Sequence, residues 1–261
     1  MSVDLGCEQI SASVQDSILR VAFNRPEKKN ALTQDMYTAL VRAIDMVDGT
    51  PELRALYITG EGPTFTSGND VLDFMNAPLD MENSPVAKFL VAMGTMQKPF
   101  IAAVNGLAIG IGTTLLLHCD LAYSASSAYF QMPFVNLGLC PEAGSSYLLP
   151  KIMGHTRASE LLLLGERFNA DKAKCYGILN DVFPDDELQE RAWAKAVQVA
   201  SQPPGSVRLT KKLLRGTDME TLAAAMKLEG EEFAQRLSGE EAIEAFTCFI
   251  ERRKPDFSRF S

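Results

Sequence analysis

The chain has 261 residues, 46 % apolar and 22 % charged, with 25 Lys and Arg against 33 Asp and Glu, giving a net charge of -8. A chain of this length folds as one or two domains and buries on the order of 70–75 % of its unfolded surface, and its composition excludes wholesale disorder, collagen and coiled coil. The acidic balance argues against a protein that grips nucleic-acid phosphates, since that affinity comes from clustered Lys and Arg.

Alternating runs at Gln9–Gln15 and Ile18–Phe23, separated by Asp16-Ser17, predict a β-hairpin. Thr33 precedes Met36, Leu40, Ala43, Ile44 and Val47 at helical spacing, so it is the expected N-cap of a helix closed by Gly49. Ala55–Thr59 is a predicted strand, and Gly60 to Asp70 a loop rich in Gly, Pro, Thr and Ser. A helix is expected from Val71, broken at Pro78, and another over Pro85–Met96. Phe100–Val104 is a strand, Gly110–Cys119 a helix and Leu121–Tyr123 a strand. Such alternation predicts an α/β protein with mostly parallel pairing. After Gly144 helical periodicity dominates, in Ala158–Leu164, Leu188–Ser201, Val207–Leu214, Thr221–Leu237 and Glu240–Arg253. Residues 1–200 are therefore expected to form a core domain and 201–261 a helical region, with Gln202-Pro203-Pro204-Gly205 as the boundary.

From Pro99 to Cys119 no residue is charged, and between Lys98 and Glu142 the only charge is Asp120. The stretch is long enough for a membrane helix, but Gly106, Gly110, Gly112 and Asn105 interrupt it. It is expected to be the buried centre of the fold, where strands covered on both faces are continuously apolar; no membrane association is expected. Cys7, Cys119, Cys140, Cys175 and Cys248 are scattered without C-x-x-C spacing, which suggests neither a disulfide framework nor a thiolate metal site. With only His118 and His155 there is no His-rich metal site, so no metal is expected. The opening segment lacks a basic region followed by an apolar run, and Arg259-Phe260-Ser261 does not match the peroxisomal address. The expected location is cytoplasmic.

Three segments can carry chemistry. Phe65-Thr66-Ser67-Gly68-Asn69-Asp70 is a loop opening a helix, either as an ordinary capped start with Asp70 as cap or as a place where free amides meet a ligand. Asn105-Gly106 through Gly110-Ile111-Gly112-Thr113-Thr114 turns from strand to helix; it lacks the Walker lysine and misses the dinucleotide fingerprint, and tight helix–sheet packing explains its glycines equally well. In Pro141-Glu142-Ala143-Gly144-Ser145-Ser146, Glu142 ends the uncharged region. It is either an acid favoured by a helix dipole or a carboxyl whose apolar setting suits proton transfer. His118 is expected to be a packed histidine, Asp120 structural, and Arg252-Arg253-Lys254 a charged helix end. Lys28 and Lys29 are expected in a solvated loop, and Cys140 lacks a nearby histidine to activate it.

Asn24-Arg25-Pro26-Glu27-Lys28-Lys29-Asn30-Ala31-Leu32, the Phe65–Asp70 loop, Lys98-Pro99-Phe100-Ile101-Ala102-Ala103-Val104-Asn105-Gly106 and Arg252-Arg253-Lys254-Pro255-Asp256-Phe257 together resemble the crotonase (enoyl-CoA hydratase/isomerase) superfamily, in the right order and over nearly the whole chain. The resemblance implies a crotonase-like (ClpP/crotonase) spiral ββα core with a C-terminal helical region serving oligomerisation and covering the CoA pocket. It implies an acyl-CoA substrate and no cofactor beyond the CoA that the substrate carries. The assembly it implies is a homotrimer or hexamer. The backbone amides of Asn69 and Ile111 match the family's oxyanion hole, which holds a thioester enolate. Lys28, Lys29, Thr66, Ser67, Gly68, Asn69, Asp70 and Gly110 are the implied substrate and CoA contacts. Family hydratases carry two glutamates at positions occupied here by Thr114 and Phe134. Pro141-Glu142-Ala143-Gly144 instead resembles Δ3,Δ2-enoyl-CoA isomerases of the peroxisomal type, which implies Glu142 as the single catalytic base. Another crotonase reaction, such as an atypical hydration or thioester hydrolysis, and a non-catalytic CoA-binding module are the alternatives.

Overall fold

The computed structural model describes residues 1–76 and 83–260. The N-terminal alternation becomes β1 (Ser2–Val3), β2 (Ile10–Gln15) and β3 (Ile18–Phe23), paired antiparallel. Asp16 and Ser17 both take positive φ, 51° and 61°, the turn geometry whose twist matches the flanking strands. Thr33 caps α1 (Gln34–Gly49), its hydroxyl accepting the Met36 amide at 3.3 Å, and the apolar stripe from Met36 to Val47 is buried.

From α1 onward one unit recurs three times: a long strand, a three-residue strand, then a helix. β4 (Ala55–Gly60) and β5 (Thr64–Thr66) lead to α2 (Val71–Asn76) and α3 (Pro85–Thr95). β6 (Phe100–Val104) and β7 (Leu107–Ile109) lead to α4 (Ile111–Thr114), continued by a 3-10 turn to His118. β8 (Leu121–Ala125) and β9 (Tyr129–Gln131) lead to α5 (Ser145–Met153). The chain continues through α6 (His155–Leu164), β10 (Phe168–Asn169), α7 (Ala170–Cys175), β11 (Asp181–Phe183) and α8 (Leu188–Ala200). It ends in α9 (Pro204–Arg215), α10 (Met219–Leu237) and α11 (Glu240–Glu251).

The long strands build a seven-stranded sheet ordered β1-β2-β3-β4-β6-β8-β11, and the short ones a four-stranded sheet ordered β10-β9-β7-β5. β3, β4, β6, β8 and β11 run parallel, as do β5, β7 and β9. This is the spiral ββα core with C-terminal helices that the resemblance implies. Strands β4 and β6 are buried along their whole length, as parallel strands covered on both faces must be. The uncharged run from Pro99 divides among β6, β7, α4 and its 3-10 extension, and among the described residues no helix is long and apolar enough to cross a membrane.

Several sequence expectations need correction. The Gly60–Asp70 segment is not all loop but contains β5, and the expected Gly110–Cys119 helix is one α-turn followed by a 3-10 turn. Three-residue strands are too short to show a period, so nothing in the sequence separates β5, β7 and β9 from loop. The expected break at Pro78 lies outside the described residues. The predicted C-terminal helices are present, but they are tied into the core. Lys211 of α9 is buried and donates to the Lys98 carbonyl at 2.6 Å and to Asp120 at 2.7 Å.

Candidate active site

The carboxyl ends of β5, β7 and β9 lie side by side in the small sheet, and each opens into a segment holding one predicted site residue: Asn69 after β5, Ile111 after β7, Glu142 after β9. Ligands collect at such carboxyl ends because the loops leaving them converge. A Cβ placed on Gly68 would stand 2.9 Å from the Ile109 carbonyl oxygen, so the first two loops pack backbone against backbone. Gly68 also sits at φ +86°, a conformation that favours glycine. Its amide donates to Thr66 Oγ1 at 3.1 Å, and that of Asp70 to the Leu32 carbonyl at 2.9 Å. Among the described residues nothing accepts from the amide of Asn69 between them. Gly110 takes φ +55° in open space, so backbone conformation rather than crowding calls for glycine there. Its amide donates to the Gln131 carbonyl at 2.8 Å, while its own carbonyl accepts from Thr113 and Thr114. Ile111, the first residue of α4, has no acceptor for its amide among the described residues, as befits a helix start. Two unsatisfied donors thus lie on neighbouring loops of one sheet edge.

Behind them Asn30 acts as a hub. It is fully buried at φ +54°. Its side-chain amide donates to the carbonyls of Glu61 and Thr64, at 3.0 and 2.7 Å, and its side-chain oxygen accepts the Arg25 amide at 2.8 Å. Thr66 donates to the Asn30 carbonyl at 2.6 Å, and the Ser67 amide to Lys29 O at 3.0 Å. The Lys28–Lys29 loop, with both side chains exposed, is thereby brought alongside the Ser67–Asp70 loop. Thr66 itself is fully buried and its hydroxyl is used internally, so it braces the loop instead of facing a ligand. Asp70 caps α2, accepting from the amides of Leu72 and Asp73, and pairs with Arg25 at 2.7 Å. Those contacts, Arg25 above all, outweigh its partial burial and hold its carboxyl below the ordinary range.

Glu142 stands on a loop of unusual backbone. Ala143 and Gly144 follow at φ +57° and +71°, and a non-glycine residue there needs outside support. Ser145 supplies some, donating from its amide at 3.0 Å and its hydroxyl at 2.6 Å to the Glu142 carbonyl. His118, at the end of the 3-10 turn, donates from Nε2 to the Ala143 carbonyl at 2.7 Å. Burial drives its pKa down to about 4, which keeps the ring neutral. Glu229 of α10 accepts the amides of Gly144 and Ser146 at 2.6 and 2.8 Å. The Glu142 side chain stays partly accessible. Enough protein surrounds its carboxyl that burial pushes the pKa up to about 8, against the lowering effect of a hydrogen bond from Thr114 Oγ1 and with a smaller upward push from Glu229. The Tyr37 phenol, fully buried on α1, donates to Asn69 Oδ1 at 2.5 Å. Burial, then the charges of Glu142 and Asp73, hold it protonated far above its usual range.

The structure thus brings Asn69, Ile111, Gly68, Gly110 and Glu142 to one edge. His118 is packed, as expected, yet its contact lies one residue from Glu142. Asp120 is structural, accepting from the Phe100 amide and from Lys211. Arg253 is committed to Glu244 at 2.9 Å and Glu251 at 2.5 Å. The sequence does not single out Tyr37 or Glu229. Tyr37 lies within an ordinary helical stripe, and Glu229 lies in a run of charges on α10 with nothing to separate it from a solvated face.

A family model described as enoyl-CoA hydratase/isomerase matches residues 13–259. The chain belongs to this family. Like other enoyl-CoA hydratase/isomerase proteins it has the crotonase fold: the crystal structure of an enoyl-CoA hydratase/isomerase from Pseudoalteromonas atlantica T6c matches with a TM-score of 0.92 at 41 % identity, covering 96 % of this chain and 100 % of that one. The chain is also similar to enoyl-CoA delta isomerase 2 of Rattus norvegicus, 35 % identical over 250 residues. That match covers 94 % of this chain but 64 % of the rat protein, so the chain spans a little under two thirds of that relative. The 1,2-epoxyphenylacetyl-CoA isomerase of Escherichia coli (strain K12) is 34 % identical over 260 residues, covering 96 % of this chain and 98 % of the other.

Proposed function

We propose that the protein is a Δ3,Δ2-enoyl-CoA isomerase working with one carboxylate and two amides. The observation that carries this reading is a partly accessible carboxyl with a raised proton affinity, on the same sheet edge as two amides without acceptors among the described residues. The substrate thioester oxygen would sit between the amides of Asn69 and Ile111, which stabilise the oxygen as it gains charge without having to reorganise. The Glu142 carboxylate takes a proton from C2 of a 3-enoyl-CoA, and the electron pair delocalises as a dienolate onto the thioester oxygen. The same carboxyl returns the proton at C4, leaving the conjugated 2-enoyl thioester with no net gain or loss of atoms or electrons. A pKa near 8 suits a group that must both take and give a proton near neutrality.

Thr114 and Phe134 stand where hydratases carry glutamates, so a second carboxylate to handle water is missing there. Asp70, next to Asn69, is committed to Arg25 and to capping α2, and Glu229 to the amides of Gly144 and Ser146. The CoA phosphates are assigned to the loop carrying Lys28 and Lys29, whose charges offset the repulsion of a -8 protein. The exposed Leu213 and Leu214 of α9, and Phe249 and Ile250 of α11, support self-association. The test is the rise in conjugated-thioester absorbance on mixing with a 3-enoyl-CoA: formation of 2-enoyl-CoA faster than 3-hydroxyacyl-CoA or free CoA supports the isomerase, whereas net hydration or hydrolysis overturns it.

A further inference from the structure

We propose that Glu229, reaching from α10, is a positioning residue for the Glu142 base: it pins the loop that carries the base and keeps a fixed negative charge behind it. The proposal rests on the reading of Glu142 given above. Three observations converge on it. Glu229 is buried, which a carboxylate tolerates only when its oxygens are well satisfied. Each of its oxygens accepts one backbone amide, from Gly144 at 2.6 Å and from Ser146 at 2.8 Å, at the open start of α5. Those two amides flank Ser145, whose own amide and hydroxyl hold the Glu142 carbonyl, so the grip of Glu229 is passed directly to the base.

Two carboxyls in one neighbourhood with different surroundings take different roles. Burial raises the proton affinity of Glu229 above the ordinary carboxylate range, and its two amide donors at the positive end of a helix work against that pull and favour the charged form. Glu142 has one hydroxyl donor, and the negative charge of Glu229 opposes its ionisation. A bare helix start would do the reverse and draw the proton off Glu142, so Glu229 cancels a field that would weaken the base.

The other groups on the elements around Glu142 leave that role open. His118 is neutral and Tyr37 is protonated. Cys140 donates weakly to the Glu229 carbonyl, and burial keeps its thiol protonated. Arg236 of α10 is paired with Glu241 of α11 at 2.7 Å, and Lys151 at the far end of α5 with Asp218 at 2.6 Å. Asp73 acts on Tyr37, and Lys88 of α3 is exposed. Among the described residues Glu142 has no ion-pair partner.

The experiment compares the pH–rate profile for 3-enoyl-CoA isomerisation, and the infrared titration of the buried carboxyls, in the full-length wild type, Glu229→Gln, Glu229→Asp and Glu142→Gln. Activity rises with pH as Glu142 ionises. In Glu229→Gln that rise should move to lower pH by about one unit, the size expected for removing a nearby charge at an effective dielectric near 20. The variant should therefore keep a larger fraction of its own plateau rate at pH 6, with a lower plateau because the base is weaker and KM changed less than about threefold. Glu229→Asp, which keeps the charge, should leave the rise where it is in the wild type. An unmoved rise in Glu229→Gln, whatever its thermal stability, reduces Glu229 to a tether and overturns the proposal. The infrared titration needs no folded variant at position 229: Glu142→Gln should remove the upper step and leave a buried carboxylate already ionised at pH 7, and a protonated one there also overturns it. If Glu142→Gln kept full activity, the base assignment would fail by itself, while the infrared shift in Glu229→Gln would still decide whether the two carboxyls are coupled.

Discussion

The two amides and the one carboxylate lie at the same sheet edge but are held there differently. The amides of Asn69 and Ile111 are placed chiefly by backbone, through the register of β5 against β7 and glycines at positive φ, with the buried side chains of Asn30 and Thr66 as braces. Glu142 follows the third short strand at a greater distance, and its loop is fixed by groups 25 to 85 residues off, His118, Thr114 and Glu229. On the proposed reading, charge stabilisation is thus built into the core, whereas the proton affinity of Glu142 is set by side chains brought in from elsewhere. The amides should tolerate a change of pH and resist only steric insult; the base should respond to every charge and hydrogen bond around it.

Mutations can break that contrast, and the largest effect is expected at Glu142. Glu142→Gln leaves the amides intact, so an acyl-CoA should bind with Kd within a few-fold of the wild type by calorimetry while turnover falls by about 10²–10⁴. Gly68→Ala attacks the other half: at φ +86° and 2.9 Å from the Ile109 carbonyl the new methyl must push the loops apart. A loss of about 10² in kcat is expected, the scale for losing one oxyanion donor, with the pH dependence unmoved. Thr114→Val removes the hydroxyl that favours the charged form of Glu142, a hydrogen bond worth about 1.5–3 kcal/mol to an ion. The rise of rate with pH should move upward by about one to two units, costing about 10–10²-fold at pH 7 and about twofold or less at pH 10. Replacing Lys28 and Lys29 by Glu should raise KM by a few-fold at low salt, and by less as salt screens the charges, without touching kcat.

A separate effect should appear in stability. Since the folded state holds the Glu142 proton up to about pH 8 and an unfolded chain releases it near 4.5, folding binds a proton between these values. Stability from this group is present below about pH 4.5 and lost as pH rises to 8. Glu142→Gln removes that loss, so its melting temperature should match the wild type at pH 4.5 and exceed it at pH 8. At this chain length each kcal/mol corresponds to about 2–4 °C.

The same contrast decides what could be read in the sequence. The hairpin, the Thr33 cap and the helices from Ala158 onward follow from alternation, capping chemistry and 3.6-residue periodicity. The Gly68 and Gly110 turns were visible because glycine at a strand–helix junction is a local signal. Glu142 stood out by ending an uncharged run. The small sheet was illegible because its strands have three residues each, and the partners of Glu142 were illegible because nothing local distinguishes Glu229 from its solvated neighbours on α10. His118 is packed, as its apolar setting predicts, but the carbonyl it packs against belongs to Ala143, next to Glu142, which only the fold reveals.

The clamp of Glu229 on Gly144 spans 85 residues of chain, and a chain is made from one end. At about 5–20 residues per second of synthesis, roughly 4–17 s pass between the moment the Glu142 loop is polymerised and the moment its anchor exists. Through that interval β5, β7 and the amides they carry can form, while the left-handed Ala143-Gly144 turn lacks its holder. A nascent chain of this protein should therefore acquire affinity for its ligand before it acquires activity.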